Sequence, residues 1–245
     1  MATQGRRPAG RAGKGSPVRR NKAAPAQRFP APKPPKKTSG VVFDAQTESE
    51  EPRTFRLGVV PGATPGKWVD AWKQRMPHVP VEIVPITVAE QRAAVQDLDA
   101  ALVRLPLADD SLHLITLYDE VPVVVASIES HLLAADELTI ADLAGELVMV
   151  PSDDPLGPLD IPGAVAPRFA PLPVAEAIAT VATGTGIVIV PMSLARLHHR
   201  KDVEHRPLAD GPTSTVALAW RRERTTPDVE TFIGIVRGRT SNSSR

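Results

Sequence analysis

Cysteine is absent from this 245-residue chain, which excludes a disulfide framework, thiolate metal sites and thiol nucleophiles together. Nowhere do roughly 18 apolar residues follow one another, so no membrane-spanning helix is expected. The amino terminus is basic, yet it lacks the apolar stretch and small-residue cleavage site of a secretory leader. These absences lead us to expect a cytoplasmic protein with no membrane partner. Enzyme signatures are missing as well: there is no Gly-x-Ser-x-Gly elbow, no Walker phosphate loop and no Gly-x-Gly-x-x-Gly fingerprint. His198 and His199 are neighbours, which point in different directions on a helix and read as a solvated basic end rather than a metal pair. The paired acids Asp109–Asp110 and Asp153–Asp154 sit in loops and read as turn residues. We expect no catalytic residue, no cofactor and no metal.

What is present is an uneven charge. The net charge is +1, but residues 1–40 contain eleven basic groups and no acid: Arg6, Arg7, Arg11, Lys14, Arg19, Arg20, Lys22, Arg28, Lys33, Lys36 and Lys37. The remaining 18 basic groups face all 28 acids, so the rest of the chain carries −10. The basic segment also holds seven prolines and a single aromatic, Phe29. Such a segment cannot bury enough apolar surface to offset the entropy of ordering it. We therefore expect a disordered basic tail over residues 1–53, closed by the acidic patch DAQTESEE at 44–51, and structure from Thr54 onward.

Beyond Thr54 apolar strand patterns alternate with helical ones, the signature of an α/β fold with mostly parallel strands. The run TFRLGVV is a strand. It leads to a helix with Thr64 as expected N-cap and Pro65 at its first position, on which Trp68, Val69, Trp72 and Met76 form one apolar stripe. VEIVPI and LDAALVRL are the next strands, with residues 88–96 a weaker helix between them. VPVVVAS at 121–127 starts a second cluster. Thr139 and Asp142 have capping-box spacing for a short helix closed by Gly145. The strand ELVMVP, a short strand near AVAPRFA and a helix lined by Val174, Ile178 and Val181 follow. Then comes ATGTGIVIVPMSLARL, a glycine turn running into four β-branched residues, with Pro191 after them. Strands at VEHRPL and STVALAW lead to a last helix, capped by Thr226 and Pro227, whose Val229, Phe232, Ile233 and Val236 share one face.

FRLGVVPGATP, DLDAALVRLP, LYDEVPVVVASIESHLLA, ELTIADLAGELVMVP and ATGTGIVIVPMSLARL, in this order and spacing, resemble the effector-sensing domain of LysR-type transcriptional regulators, a type II periplasmic-binding-protein fold. The resemblance covers residues 54–240. It implies two lobes, the first formed by 54–121 and 190–240 and the second by 122–189, with Pro122 and Pro191 beside the two crossings. It also implies a small-molecule effector between the lobes and a homodimer of sensor domains. The family usually places a winged helix-turn-helix ahead of this domain, and the basic tail occupies that place here.

In open α/β sheets ligands bind beyond the carboxyl ends of the strands. Thr64 lies at such an end, at a helix start where backbone N–H groups and the dipole favour an anion. Lys67 follows in place of an acid. Arg104 closes its strand at the expected cleft edge, where it either grips a carboxylate bidentately or pairs structurally with Asp109 or Asp110. Ser127, Ser152 and Thr185 offer hydroxyls from the other lobe, although turn chemistry explains most such residues. These five residues are the candidate ligand contacts, for a small and anionic effector. The tail, through Arg6, Arg7, Arg11, Arg19, Arg20, Lys22, Lys36 and Lys37, suits non-specific DNA contact, with binding falling at a slope of about −0.9 per phosphate neutralised as salt rises. It equally suits folding back on the acidic body, or mere solubilisation. The competing reading is a nucleoid-associated protein with a filled, vestigial cleft, and cleft volume separates the two.

Overall fold

Four consecutive β-branched residues need apolar cover on both faces, and the fold supplies it. The computed structural model describes residues 52–238. Strands β5 (Pro122–Ser127) and β7 (Ile187–Pro191) run antiparallel at the centre of one sheet, between β6 (Val148–Met149) and β8 (Val203–Pro207). Val123, Val125, Val188 and Val190 pack on one face, against helices α3 (Val174–Val181) and α4 (Met192–Leu197). Val124, Ala126, Ile187 and Ile189 pack on the other, against Leu132, Leu138, Leu143 and Leu208. Period-two alternation is hidden because each face is a core.

The turn into β7 depends on glycine. Gly186 has φ +66°, and an added Cβ would lie 2.2 Å from the Leu147 carbonyl oxygen, the atom that accepts the Ile187 N–H. Gly186→Ala therefore combines a left-handed backbone with a collision against a backbone group that cannot swing away. We expect a loss of about 2 kcal/mol, read by urea denaturation. A change below a few tenths would show that the turn tolerates a side chain.

The other sheet runs β2 (Val81–Pro85), β1 (Phe55–Val59), β3 (Ala100–Arg104), β9 (Ser214–Arg221) and β4 (Leu112–Glu120), in that order. Its core is aromatic: Phe55, Trp72 of α1 (Gly66–Arg75) and Phe232 of α5 (Pro227–Val236) have ring centroids 4.5 to 5.9 Å apart. Short α2 (Gln91–Ala94) precedes β3. Thr226 accepts the Val229 N–H at the start of α5, as its sequence predicts. The Asp142 carboxylate takes both the N–H and the hydroxyl of Thr139, though the turn it closes, Ile140–Leu143, is 3₁₀.

Several expectations need correction. The sheets are mixed rather than mostly parallel, with four antiparallel pairings against three parallel. β4 is a full strand where none was expected, and the region near AVAPRFA contributes only an isolated bridge between Leu147 and Val165. The return crossing lies after β8, within 208–213, and not at 190: β8 pairs with β5, so α4 and β8 belong to the second lobe. Pro191 closes β7 and starts α4 instead of redirecting the chain. Arg53, assigned to the tail, is clamped onto Asp228 of α5 at 2.7 Å. The expectations for Arg6 through Lys37, the acidic patch and the last residues up to 240 lie outside the described residues. Among those described, no helix is long and apolar enough to cross a membrane.

Candidate functional site

A cavity of about 680 Å³ opens where the two sheets meet, well within the range of small-molecule sites. The loop after β1 supplies Gly62, Ala63 and Thr64, the end of β4 supplies Tyr118, Asp119 and Glu120, and α4 supplies Met192, Ser193, Arg196 and Leu197. Because α4 packs on the second sheet, both lobes form the wall. Val121 and Leu197 stand about half exposed in the lining, apolar surface that a ligand would cover.

A β-bulge aims the β4 side chains. Thr116 pairs with Ala217 and Tyr118 with Val216, so β4 advances two residues while β9 advances one. Directly opposed residues share a face, so the extra residue turns Tyr118 and Glu120 to the face opposite Thr116. Burial, reinforced by the nearby Glu120 charge, raises the Tyr118 phenol above its ordinary pKa, so it stays a neutral O–H donor. The Arg104 charge and the Thr64 backbone N–H oppose this rise and are outweighed.

Behind the wall lies a buried ion pair. Arg104 Nη1 donates to Glu120 Oε2 at 2.8 Å and to Ser214 Oγ at 2.7 Å, while Nη2 donates to the Pro61 carbonyl and to Ser193 Oγ, each at 3.1 Å. Ser193 Oγ in turn donates to Glu120 Oε2 at 2.7 Å. Gln91 holds the base of the arginine, its side-chain amide bonding both the N–H and the C=O of Arg104. Gly62, φ +84°, lies so close above that a Cβ there would come within 2.3 Å of Ser193 Oγ.

The expected contacts divide. Thr64 lines the cavity, but it is not the helix cap: Pro65 takes that position, its carbonyl receiving the Trp68 and Val69 N–H groups. Its hydroxyl is left for the cavity. Arg104 does not line the cavity; its side chain is 1% exposed and the carboxylate it meets is Glu120, not Asp109 or Asp110. Asp109 bonds Ser111 and Arg92 instead, hydrogen bonds that hold its carboxyl down to about 2. Ser127 lies in a separate hollow with Gly184 and Gly186, its hydroxyl receiving the Glu129 N–H as turn chemistry predicts. Thr185 sits between those glycines and bonds Thr183. Ser152 is exposed and lines neither hollow, while its neighbour Asp153 caps α3 through the Val174 N–H. Sequence reasoning missed Tyr118, Glu120, Ser193 and Arg196, which come together only through strand order and the bulge.

The state of the lining groups is informative. Glu120 is ion-paired, and Asp119 accepts the Thr215 hydroxyl at 2.6 Å. The Arg196 guanidinium and the Thr64 hydroxyl have no hydrogen-bond or ion-pair partner among the described residues. The Glu120 charge is thus matched by Arg104, and the Arg196 guanidinium is open to a ligand.

Comparison with known proteins agrees with this architecture. The sequence pattern of a family described as "LysR substrate binding domain" matches residues 48–241. The chain is 27% identical over 207 residues to the Hca operon transcriptional activator HcaR of Escherichia coli K12, covering 78% of this chain and 69% of HcaR. It is 29% identical over 149 residues to the HTH-type transcriptional regulator CatR of Pseudomonas putida, covering 57% of this chain and spanning only about half, 51%, of that relative. Among solved structures, the BenM effector binding domain with its effector benzoate superposes with a TM-score of 0.62 at 20% identity, over 78% of this chain and 96% of that one.

Proposed function

The chain belongs to the LysR substrate-binding-domain family, and from that premise we propose that it senses a small carboxylate-bearing effector and passes its presence on to transcription. The observation that carries this reading is the 680 Å³ cavity lined from both lobes, in which the Arg196 guanidinium is open while the Glu120 charge is matched by Arg104 and Asp119 accepts the Thr215 hydroxyl. Arg196 and the hydroxyls of Thr64 and Tyr118 supply a head-group site. α1, whose N-terminus follows the Thr64 loop, has no acid in its first turn to compete with an anion. Ala63, Val121, Met192 and Leu197 provide apolar walls. A cavity of this size disfavours the vestigial-cleft alternative.

Benzoate, the effector of BenM, is a suitable first probe, with benzamide as its neutral counterpart. We expect calorimetry to give saturable benzoate binding and at least tenfold weaker benzamide binding. Arg196→Ala should weaken benzoate about tenfold, in line with a charge-assisted hydrogen bond. Equal binding of acid and amide, or an Arg196→Ala variant with unchanged affinity, would remove the carboxylate from the proposal.

A further inference from the structure

The cluster around Arg104 is placed where the lobes hinge. Glu120 ends β4 at the first crossing, Ser214 begins β9 at the second, and the two are directly paired in register. Arg104 Nη1 holds both of them. Arg104, Glu120 and Ser214 all belong to the first sheet, whereas Ser193 stands on α4, which packs on the second. The Ser193 hydroxyl therefore ties one lobe to the other: it donates to Glu120 and accepts from Arg104. It is also a lining residue of the cavity. Gly62 stands beside it, where any side chain would collide with the hydroxyl.

A hydroxyl has one proton. If a ligand acceptor reaches Ser193, the proton that now goes to Glu120 must turn to the ligand, and the Ser193–Glu120 bond of the tie is lost as the ligand contact forms, leaving only the longer bond from Arg104. Glu120 retains Arg104, so no buried charge is stranded by the exchange. The exchange therefore removes the shorter of the two bonds between the lobes without leaving a charge unpaired.

We propose that Ser193 is a release catch, through which an acceptor group in the cavity loosens both crossing segments and changes the relation of the two lobes. The proposal rests on the reading of the cavity as an effector site, and it names the side chain that converts occupancy into a change of shape. Ser193 here is a positioning residue acting through Glu120 and Arg104.

The test uses the full chain and compares wild type with Ser193→Ala by hydrogen-exchange mass spectrometry, without ligand and with benzoate. Without ligand, Ser193→Ala should raise exchange about tenfold at 119–122 and at 208–214, the loss expected for a hydrogen bond to a charged group. Exchange in the interiors of β3 and β7 should stay unchanged. In wild type, benzoate should raise exchange at the same two segments, and in Ser193→Ala it should add nothing there. Wild-type exchange at both crossings in the ligand-free variant would overturn the catch, as would acceleration spread evenly over the chain. If benzoate does not bind wild type, the carboxylate reading fails, and the ligand-free comparison still decides the catch.

Discussion

Arg104→Met is expected to lower the unfolding free energy by about 3–5 kcal/mol, the usual cost of removing one partner from a buried ion pair. Methionine replaces the aliphatic stem but none of the four guanidinium hydrogen bonds. Glu120, 8% exposed in its side chain, would keep only the Ser193 hydroxyl as donor. Ser214 and the Pro61 carbonyl would each lose theirs. Surface screening does not soften this result, because the pair is nearly inaccessible to solvent. Arg104→Met combined with Glu120→Leu should recover much of the loss, since removing both charges abolishes the unpaired one. Urea denaturation of the single and double variants checks both statements. A single-variant loss under about 1 kcal/mol, or a double variant no better than the single, would mean that water reaches Glu120 and that the pair is not the buried hub described above.

The same residue shows how far a sequence carries an argument of this kind. That Arg104 ends a strand is legible from LDAALVRL, residues 98–105, followed by Pro106. Its partner is not, because Glu120 becomes its neighbour only when β9 inserts between β3 and β4. β4 itself was hidden by its bulge, which breaks the alternation of LHLITLYDE at Leu117. The strongest local signals survived intact: the stripe on α1, the cap and stripe of α5, and the two β-branched runs that became the covered centre of a sheet. The position of the return crossing did not survive. Pro191 looks like punctuation, and nothing near it reveals that β8 will pair with β5 across some eighty residues of chain. For the site, the sequence puts Thr64 forward as a helix cap; it lines the cavity, although Pro65 takes the cap position. Ser193 and Arg196 were passed over, because a hydroxyl and a cation on a short helix have no pattern until the opposing lobe is in place.

Trp72→Ala is the second variant expected to have a large effect, and it links stability to the site. Trp72 is fully buried, stacked on Phe55 at 4.5 Å and edge-on to Phe232 at 5.9 Å. Its truncation should cost about 3–5 kcal/mol through lost burial and the cavity left behind. Its indole N–H also donates to the Val79 carbonyl at 2.8 Å. Trp72→Phe, which keeps a ring and orphans that carbonyl, should therefore cost less but still about 1–2 kcal/mol. The indole fixes α1 against the sheet, and the loop carrying Gly62, Ala63 and Thr64 enters α1 directly, so a loosened helix also loosens one wall of the cavity. In Trp72→Phe, which should remain folded, benzoate affinity ought to fall modestly while the Arg104 cluster, held by β3, β4 and β9, keeps its stability contribution. Stability is read by urea denaturation and affinity by calorimetry on the same preparation. An alanine variant as stable as wild type would show that the aromatic trio is not the anchor of the first lobe. A phenylalanine variant that loses stability without any change in affinity would show that the wall is held from the β1 side alone.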